Sequence, residues 1–417
     1  MRFPLALAVA SLSLLAWVST ASASTGIRYG IQDDAWLLHG PGELDARLDT
    51  LESLGADLVR FNLRWDTVEA VEGKQDWTGP DTVLEGLHER GIPAVVAIVG
   101  TPRWANGGRG PNYAPASAAS FASFARAAAT RYRFVRDWLI WNEPNQVRWL
   151  RPTTPAVYVT RLLNPAYAAI HGVNPRARVA GGVTAPRANA GGVSPVDWIR
   201  GMRRAGARLD VYAHHPYPAR PSESPAAGGC GHCTTITMAS LERLIGEVGK
   251  AWGGKRIWLT EYAYQSNPPD RLSGVSPARQ ARLLGESALR AYRAPRVDML
   301  IHYLIRDEPT LGAWQSGLYN FGMRAKLAVQ GFRLPLAVAG RSGGAVVLWG
   351  QVRPGSGPLT YRVQTRVPGR GWAWAGGTRT TTARGFVALR LKLGKGSSVR
   401  LWSADDSTFG VPVPVSV

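Results

Sequence analysis

Two glutamates each follow a short apolar run. Glu143 comes after Trp138-Leu139-Ile140-Trp141-Asn142, and Glu261 after Arg256-Ile257-Trp258-Leu259-Thr260. In a parallel sheet such runs are strands buried on both faces, and in a closed barrel the chemistry gathers at their C-terminal ends. Two carboxyl groups brought to one rim among Trp and Tyr suit the cutting of a glycosidic bond: one protonates the departing oxygen, the other is nucleophile or base. Asn142 offers an amide to the hydroxyl beside that bond, and Trp141 offers a flat apolar face to a pyranose ring. A carboxyl against such a wall keeps its proton near neutral pH, which suits Glu143 as the acid. Glu261 must instead be ionised to attack. Arg60, near the end of an earlier apolar run, is the expected counter-charge, and Tyr217 a hydrogen-bond donor.

The rest of the chain has to deliver these groups to one place. Strand-like runs fall at residues 27–31, 58–63, 94–99, 138–141, 178–181, 209–214, 256–260 and 297–304. Between them apolar residues recur at helical spacing, as in Leu44, Leu48, Leu51 and Leu54, or Phe121 and Phe124. Gly55, Gly91, Pro93, Pro175, Gly206, Gly253 and Gly254 mark helix exits. Eight strands, each followed by a crossover, make an α/β (β/α)8 TIM barrel over 24–335, with residues 323–332 as the last crossover. No glycine-rich phosphate loop follows the first strand, which argues against an open doubly wound sheet. After Pro335 the texture changes to short alternating runs at 345–351, 359–367, 371–375, 385–392 and 398–403, separated by Gly, Ser and Pro. That pattern predicts a small all-β sandwich over 336–417 that steadies the barrel, with Trp372 and Trp374 in its core and sugar binding as the alternative role for that pair.

Residues 1–23 have the form of an export signal: Arg2, an apolar core, and Ala21-Ser22-Ala23 as a cleavage site. The expected product is secreted, starts at Ser24, has no membrane span and is a monomer; the alternative is an uncleaved anchor, and N-terminal sequencing separates the two. Cys230 and Cys233, the only cysteines, follow a Pro/Ser/Gly-rich stretch and are expected to close a small loop as a disulfide. A zinc site would need more ligands than His232 adds to them. The formal net charge of +20 attracts acidic polymers, but the arginines are scattered and no nucleic-acid-binding motif is present. The expected partner is therefore an oligo- or polysaccharide, acidic or neutral, and not nucleic acid.

In order and position these pieces resemble the retaining glycoside hydrolases of clan A, and within it families 39 and 5. The likeness spans about residues 26–335. It is carried by Asn142-Glu143-Pro144 after the fourth run, Glu261 after the seventh, Arg60 on the second and His215-Pro216-Tyr217 after the sixth. Thr101-Pro102-Arg103-Trp104-Ala105-Asn106-Gly107 is similar to the third-loop Trp motif of family 39, and Gly317-Leu318-Tyr319 to the exit from its eighth strand. The resemblance implies Glu143 as acid/base, Glu261 as nucleophile and net retention; no metal or organic cofactor is expected, because the two carboxylates supply every proton and nucleophile role. His215 is expected to face the site and His214 the opposite side of the strand. Trp104, Tyr303 and Trp314 are expected to contact sugar, with Asn145 and Asp307 as further candidates. The eighth run departs from the family in lacking a terminal Trp, a place Tyr303 partly fills. Two other readings remain: a non-catalytic glycan-binding protein on a barrel scaffold, and a lyase acting on acidic polysaccharide.

Overall fold

The computed structural model describes residues 24–415; the expected export signal lies outside them. Eight parallel strands close into a barrel. They are β1 (Arg28–Gln32), β2 (Leu58–Arg64), β3 (Ala94–Val99), β4 (Asp137–Ile140), β5 (Arg178–Thr184), β6 (Val211–His214), β7 (Arg256–Tyr262) and β8 (Val297–Tyr303). The main crossover helices are α1 (Leu44–Leu54), α2 (Thr78–Glu89), α3 (Ala118–Arg131), α4 (Asn164–Val173), α5 (Pro195–Arg204), α6 (Leu241–Trp252) and α7 (Pro277–Arg293). Helix α8 (Leu327–Arg333) follows β8 and begins later than residues 323–332 implied. The alternation of strand side chains separates two apolar layers. Leu58, Val95, Ala97, Leu139, Ala213 and Met299 fill the barrel, while Val59, Val96, Ile98, Ile140, Tyr212 and Leu259 face the helices.

Where that alternation holds, it aims polar groups too. Leu58 points inward, so Arg60 and Asn62 on β2 follow it toward the barrel mouth. Ala213 points inward, so His214 faces out, bonded to Thr184 Oγ1 (2.8 Å) and the Ile236 carbonyl (3.1 Å), and His215 turns in.

Both glutamates depend on departures from it. On β7 the register against β8 slips between the Leu259–Leu300 and Tyr262–His302 pairs, and this bulge lets Thr260 and Glu261 break the two-residue period. After β4, Trp141 (φ 74°) and Glu143 (φ 39°) adopt left-handed backbone. The Glu143 N–H donates to the carbonyl of Val183 (2.9 Å), which lies at a register slip in β5 and has φ 46° itself.

Two antiparallel sheets follow the barrel. One joins β9 (Leu336–Ser342), β10 (Ala345–Gln351) and β14 (Phe386–Leu391). The other joins β11 (Thr360–Arg366), β12 (Ala373–Trp374), β13 (Arg379–Thr380), β15 (Ser398–Ser403) and β16 (Val413–Pro414). Val346, Leu348 and Leu389 from the first pack with Tyr361, Val363 and Leu401 from the second, which makes the expected sandwich. Its core excludes the two expected aromatics: Trp374 is 41% exposed and Trp372 half-buried. They occupy outward positions, because Val363, Val399 and Leu401 already take the inward ones. Cys230 and Cys233 are joined as a disulfide.

Candidate active site

Arg60 is the hub of the barrel mouth. Fully buried, it ion-pairs with Glu261 through Nη1 at 2.7 Å and donates to the Thr260 carbonyl at 3.0 Å. Its Nη2 donates to Asn142 Oδ1 at 2.7 Å. The second Glu261 oxygen accepts from the Tyr217 hydroxyl at 3.1 Å. Glu261 therefore meets a guanidinium on one oxygen and a phenol on the other, an arrangement that holds a carboxylate in one orientation.

His215 links the two glutamates. Its Nε2 lies 3.1 Å from Arg60 Nη1, which can only donate, so Nε2 accepts and the proton sits on Nδ1. That Nδ1–H donates to Glu143 Oε1 at 3.0 Å and lies 3.4 Å from Glu261 Oε2. One ring nitrogen thus touches both carboxyl groups, and the nearest oxygens of the pair lie within 4.8 Å of one another. Burial pushes the imidazole down to about 3, with Glu261 opposing and Arg60 reinforcing, so the ring is neutral at any working pH.

Glu143 has a different environment. Burial pushes its carboxyl up to about 7, against the pull of Arg60, Trp149, Arg148 and Arg187. It keeps some access, with 17% of its side chain exposed against 11% for Glu261. Two carboxyl groups share a pocket: one countered by a guanidinium, the other kept from ionising by burial. Glu143, His215 and Glu261 could also hold a cation by donor type, but Arg60 already supplies positive charge there. Cys230 and Cys233, the other such group with His232, are tied up in their disulfide.

Aromatic rings wall one side. Tyr217 lies 4.9 Å from Trp314 and 6.4 Å from Tyr303, and Tyr303 lies 5.4 Å from Trp314 edge-on. On the other side a cleft of about 380 Å³ opens from Asn142 and Trp149 across Asn62, Asp34, Arg64 and His39.

Solved structures share this architecture. A family 39 glycoside hydrolase from Xanthomonas axonopodis pv. citri matches over 92% of this chain and 95% of its own, with TM-score 0.57 and 16% identity. A monomeric β-xylosidase from Caulobacter crescentus CB15 matches over 92% and 97%, with TM-score 0.56 and 16% identity. A glucosidase from Croceicoccus marinus matches over 91% and 95%, with TM-score 0.59 and 13% identity. The chain has the clan A glycoside hydrolase fold. No family model matches the sequence, and no curated protein matches it.

Within that fold the structure gathers Arg60, Asn142, Glu143, His215, Tyr217, Glu261, Tyr303 and Trp314 around one mouth. Trp104 is set apart. Its indole donates to the Glu69 carbonyl at 2.8 Å and its ring packs edge-on against Trp65, so it braces the third loop. Trp141 is buried, because its left-handed backbone throws the ring outward against Phe121. Asn145 bonds wholly to backbone at Ala185 and Val193, and Asp307 is ion-paired with Lys326 beneath the surface. Both side chains are engaged within the protein.

Trp149, Asp34 and Asn62 were missed. Trp149, 36% exposed, is the ring presented to the cleft; its carbonyl accepts from the Trp141 indole at 2.7 Å. The only sequence signal was its place six residues after Glu143. Asp34 takes the Asn62 amide at 2.9 Å, and Asn62 lies 3.3 Å from Arg60, which extends the network to β1. Asp-Asp after a strand is too common to single out. At Asn142, an expected site residue, Arg60 engages the side-chain oxygen and Nδ2 has no partner among the described residues.

Proposed function

We propose that this protein is a retaining β-glycosidase, with Glu143 as acid/base and Glu261 as nucleophile. The observation that carries the reading is the pair of carboxyl groups on one His215 nitrogen, with oxygens within 4.8 Å of one another. Retaining enzymes hold their carboxyl groups about 5–5.5 Å apart, and inverting ones leave about 6.5–9.5 Å for a water.

In the first step Glu261 attacks the anomeric carbon while protonated Glu143 gives its proton to the glycosidic oxygen. The alcohol departs and a glycosyl ester remains on Glu261. In the second step Glu143, now a carboxylate, takes a proton from water as that water attacks the same carbon. Glu261 leaves, and the sugar keeps its configuration. Neutral His215 holds the Glu143 carboxyl by its Nδ1–H, Tyr217 steadies Glu261, and Asn142 Nδ2 meets the neighbouring sugar hydroxyl. Tyr303, Trp314 and Trp149 offer apolar faces to the rings of an oligo- or polysaccharide.

The test is the Glu261→Ala variant. Turnover of an aryl β-glycoside should fall by several orders of magnitude, and azide should restore it with the inverted glycosyl azide as product. Undiminished hydrolysis, or an inverted sugar from the parent protein, would sink the assignment. An unsaturated product absorbing in the ultraviolet would mark a lyase, and binding without any product a lectin-like protein.

A further inference from the structure

We propose that the outer face of the second C-terminal sheet binds an acidic polysaccharide chain, at a site separate from the barrel mouth. On β11 the two-residue period turns Arg362, Gln364 and Arg366 outward. In register beside them stand Arg400 and Trp402 of β15, while Trp374 of β12 pairs with Gln364. Arg362 lies 3.8 Å above the Trp374 ring. Arg400 lies 4.3 Å from the Trp372 ring and 4.0 Å from that of Phe409, and Arg366 5.1 Å from Trp372.

These arginines are ordered but not neutralised. None of the three has a carboxylate partner among the described residues; Arg400 donates only to Gln364 Oε1, and the buried Arg362 Nε has no partner at all. A guanidinium laid on a ring has already lost side-chain freedom; Arg366 keeps its whole edge for a planar anion, Arg362 its two Nη groups and Arg400 its Nη1. Arg362 and Arg366 are four strand positions apart, about 13 Å, with Arg400 between them on the next strand. That is a line of cationic forks along an extended polyanion.

Carboxylates suit the forks in bidentate fashion. Single-stranded nucleic acid stacks its bases on free aromatic faces, and here those faces are covered by the guanidinium groups. The ligand class is therefore a uronate-bearing glycan. The choice of a glycan rests on the reading of the barrel as a glycosidase; the positive charge of the surface does not.

The experiment is affinity electrophoresis of the full chain through polygalacturonate, with a neutral β-glucan as control. The parent protein should be retarded by the acidic polymer alone. The Arg366→Gln/Arg400→Gln variant should lose about ten-fold in affinity while hydrolysing a small aryl glycoside at the parental rate. Arg366→Lys/Arg400→Lys keeps the charge and should stay nearer the parent, which separates ligand loss from misfolding. Parental retardation of the Gln variant would overturn the proposal, because the net charge elsewhere would then suffice. So would equal parental affinity for single-stranded DNA or for phosphatidylserine vesicles. Retardation without glycoside hydrolysis would sink the barrel reading and leave this one standing.

Discussion

Glu143, the proposed acid/base, shows how burial of a carboxyl acts on stability. Burial pushes its carboxyl up to about 7 in the folded protein, from the ordinary value of 4.5 that it has when unfolded. Between those values the folded chain binds more protons than the unfolded chain, so this group lowers stability as pH rises from 4.5 to 7, and the loss then levels off. Glu143→Gln keeps an acceptor for His215 Nδ1–H and removes the titration. Its thermal midpoint should match the parent near pH 4.5 and exceed it above pH 7, by up to about 3 kcal/mol in unfolding free energy. In the proposed mechanism the same proton governs turnover. For the parent, kcat/KM should fall as pH rises through about 7, when the acid is lost, and the variant should lack that limb. A parent profile flat from pH 6 to 9, or a variant no more stable than the parent at pH 8, would contradict the assignment. The buried carboxyl of Glu143 was legible in the sequence because a carboxyl among Trp and Asn after an apolar run implies burial. His215 as the bridge was not, since its double contact needs β4, β6 and β7 at one mouth.

At the scale of elements, sequence reading worked where strands are regular and failed where they are not. Buried parallel strands are continuous apolar runs, so the eight runs marked β1 to β8 to within a few residues. Alternation separated His214 from His215 for the same reason. Trp141 broke the rule, because no side-chain pattern encodes its positive φ. The same holds for β5, expected to end at 181 and found to run through an irregular turn to Thr184. That turn has a function, since the Val183 carbonyl receives the Glu143 N–H. Gly182 makes it with φ 91°, and a Cβ there would stand 2.5 Å from the Tyr212 ring. Gly182→Ala should therefore cost about 1–3 kcal/mol and lower kcat more than a surface Gly→Ala does, because Glu143 shifts with the turn. Calorimetry and turnover at pH 6 check this together. An active, equally stable variant would show that the turn does not position the acid.

At the scale of the molecule, the sandwich stands against the foot and flank of the barrel, away from the glutamates. Trp349 and Phe386 pack on Tyr292 of α7 at 5.3 and 5.0 Å. Arg353, buried, lies 4.1 Å from the ring of Tyr29 on β1 and 4.6 Å from that of Phe332 on α8, and it donates to the Phe332 carbonyl. Arg384 donates to the Ile27 carbonyl at 2.7 Å, just before β1 starts. The change of texture after Pro335 made this second unit legible, but nothing in a strand pattern says where a sandwich docks. The docking is tight: at Gly285 of α7 an added Cβ would meet the Leu336 carbonyl at 2.5 Å. Each aromatic ring buried at the junction contributes on the order of several kcal/mol, against the ~5–15 kcal/mol that separates a whole domain from its unfolded state. Neither unit should then melt alone. A chain of residues 24–335 would uncover the rings of Tyr29, Tyr292 and Phe332 and is expected to be insoluble or to lack a cooperative transition. The full protein should give one calorimetric peak with calorimetric and van't Hoff enthalpies in agreement, and hydrolysis and sandwich tryptophan fluorescence should be lost at one temperature. Two separated peaks, or a truncated barrel that stays folded and active, would show that the sandwich is a passenger, because a unit that carries stability cannot be removed without cost.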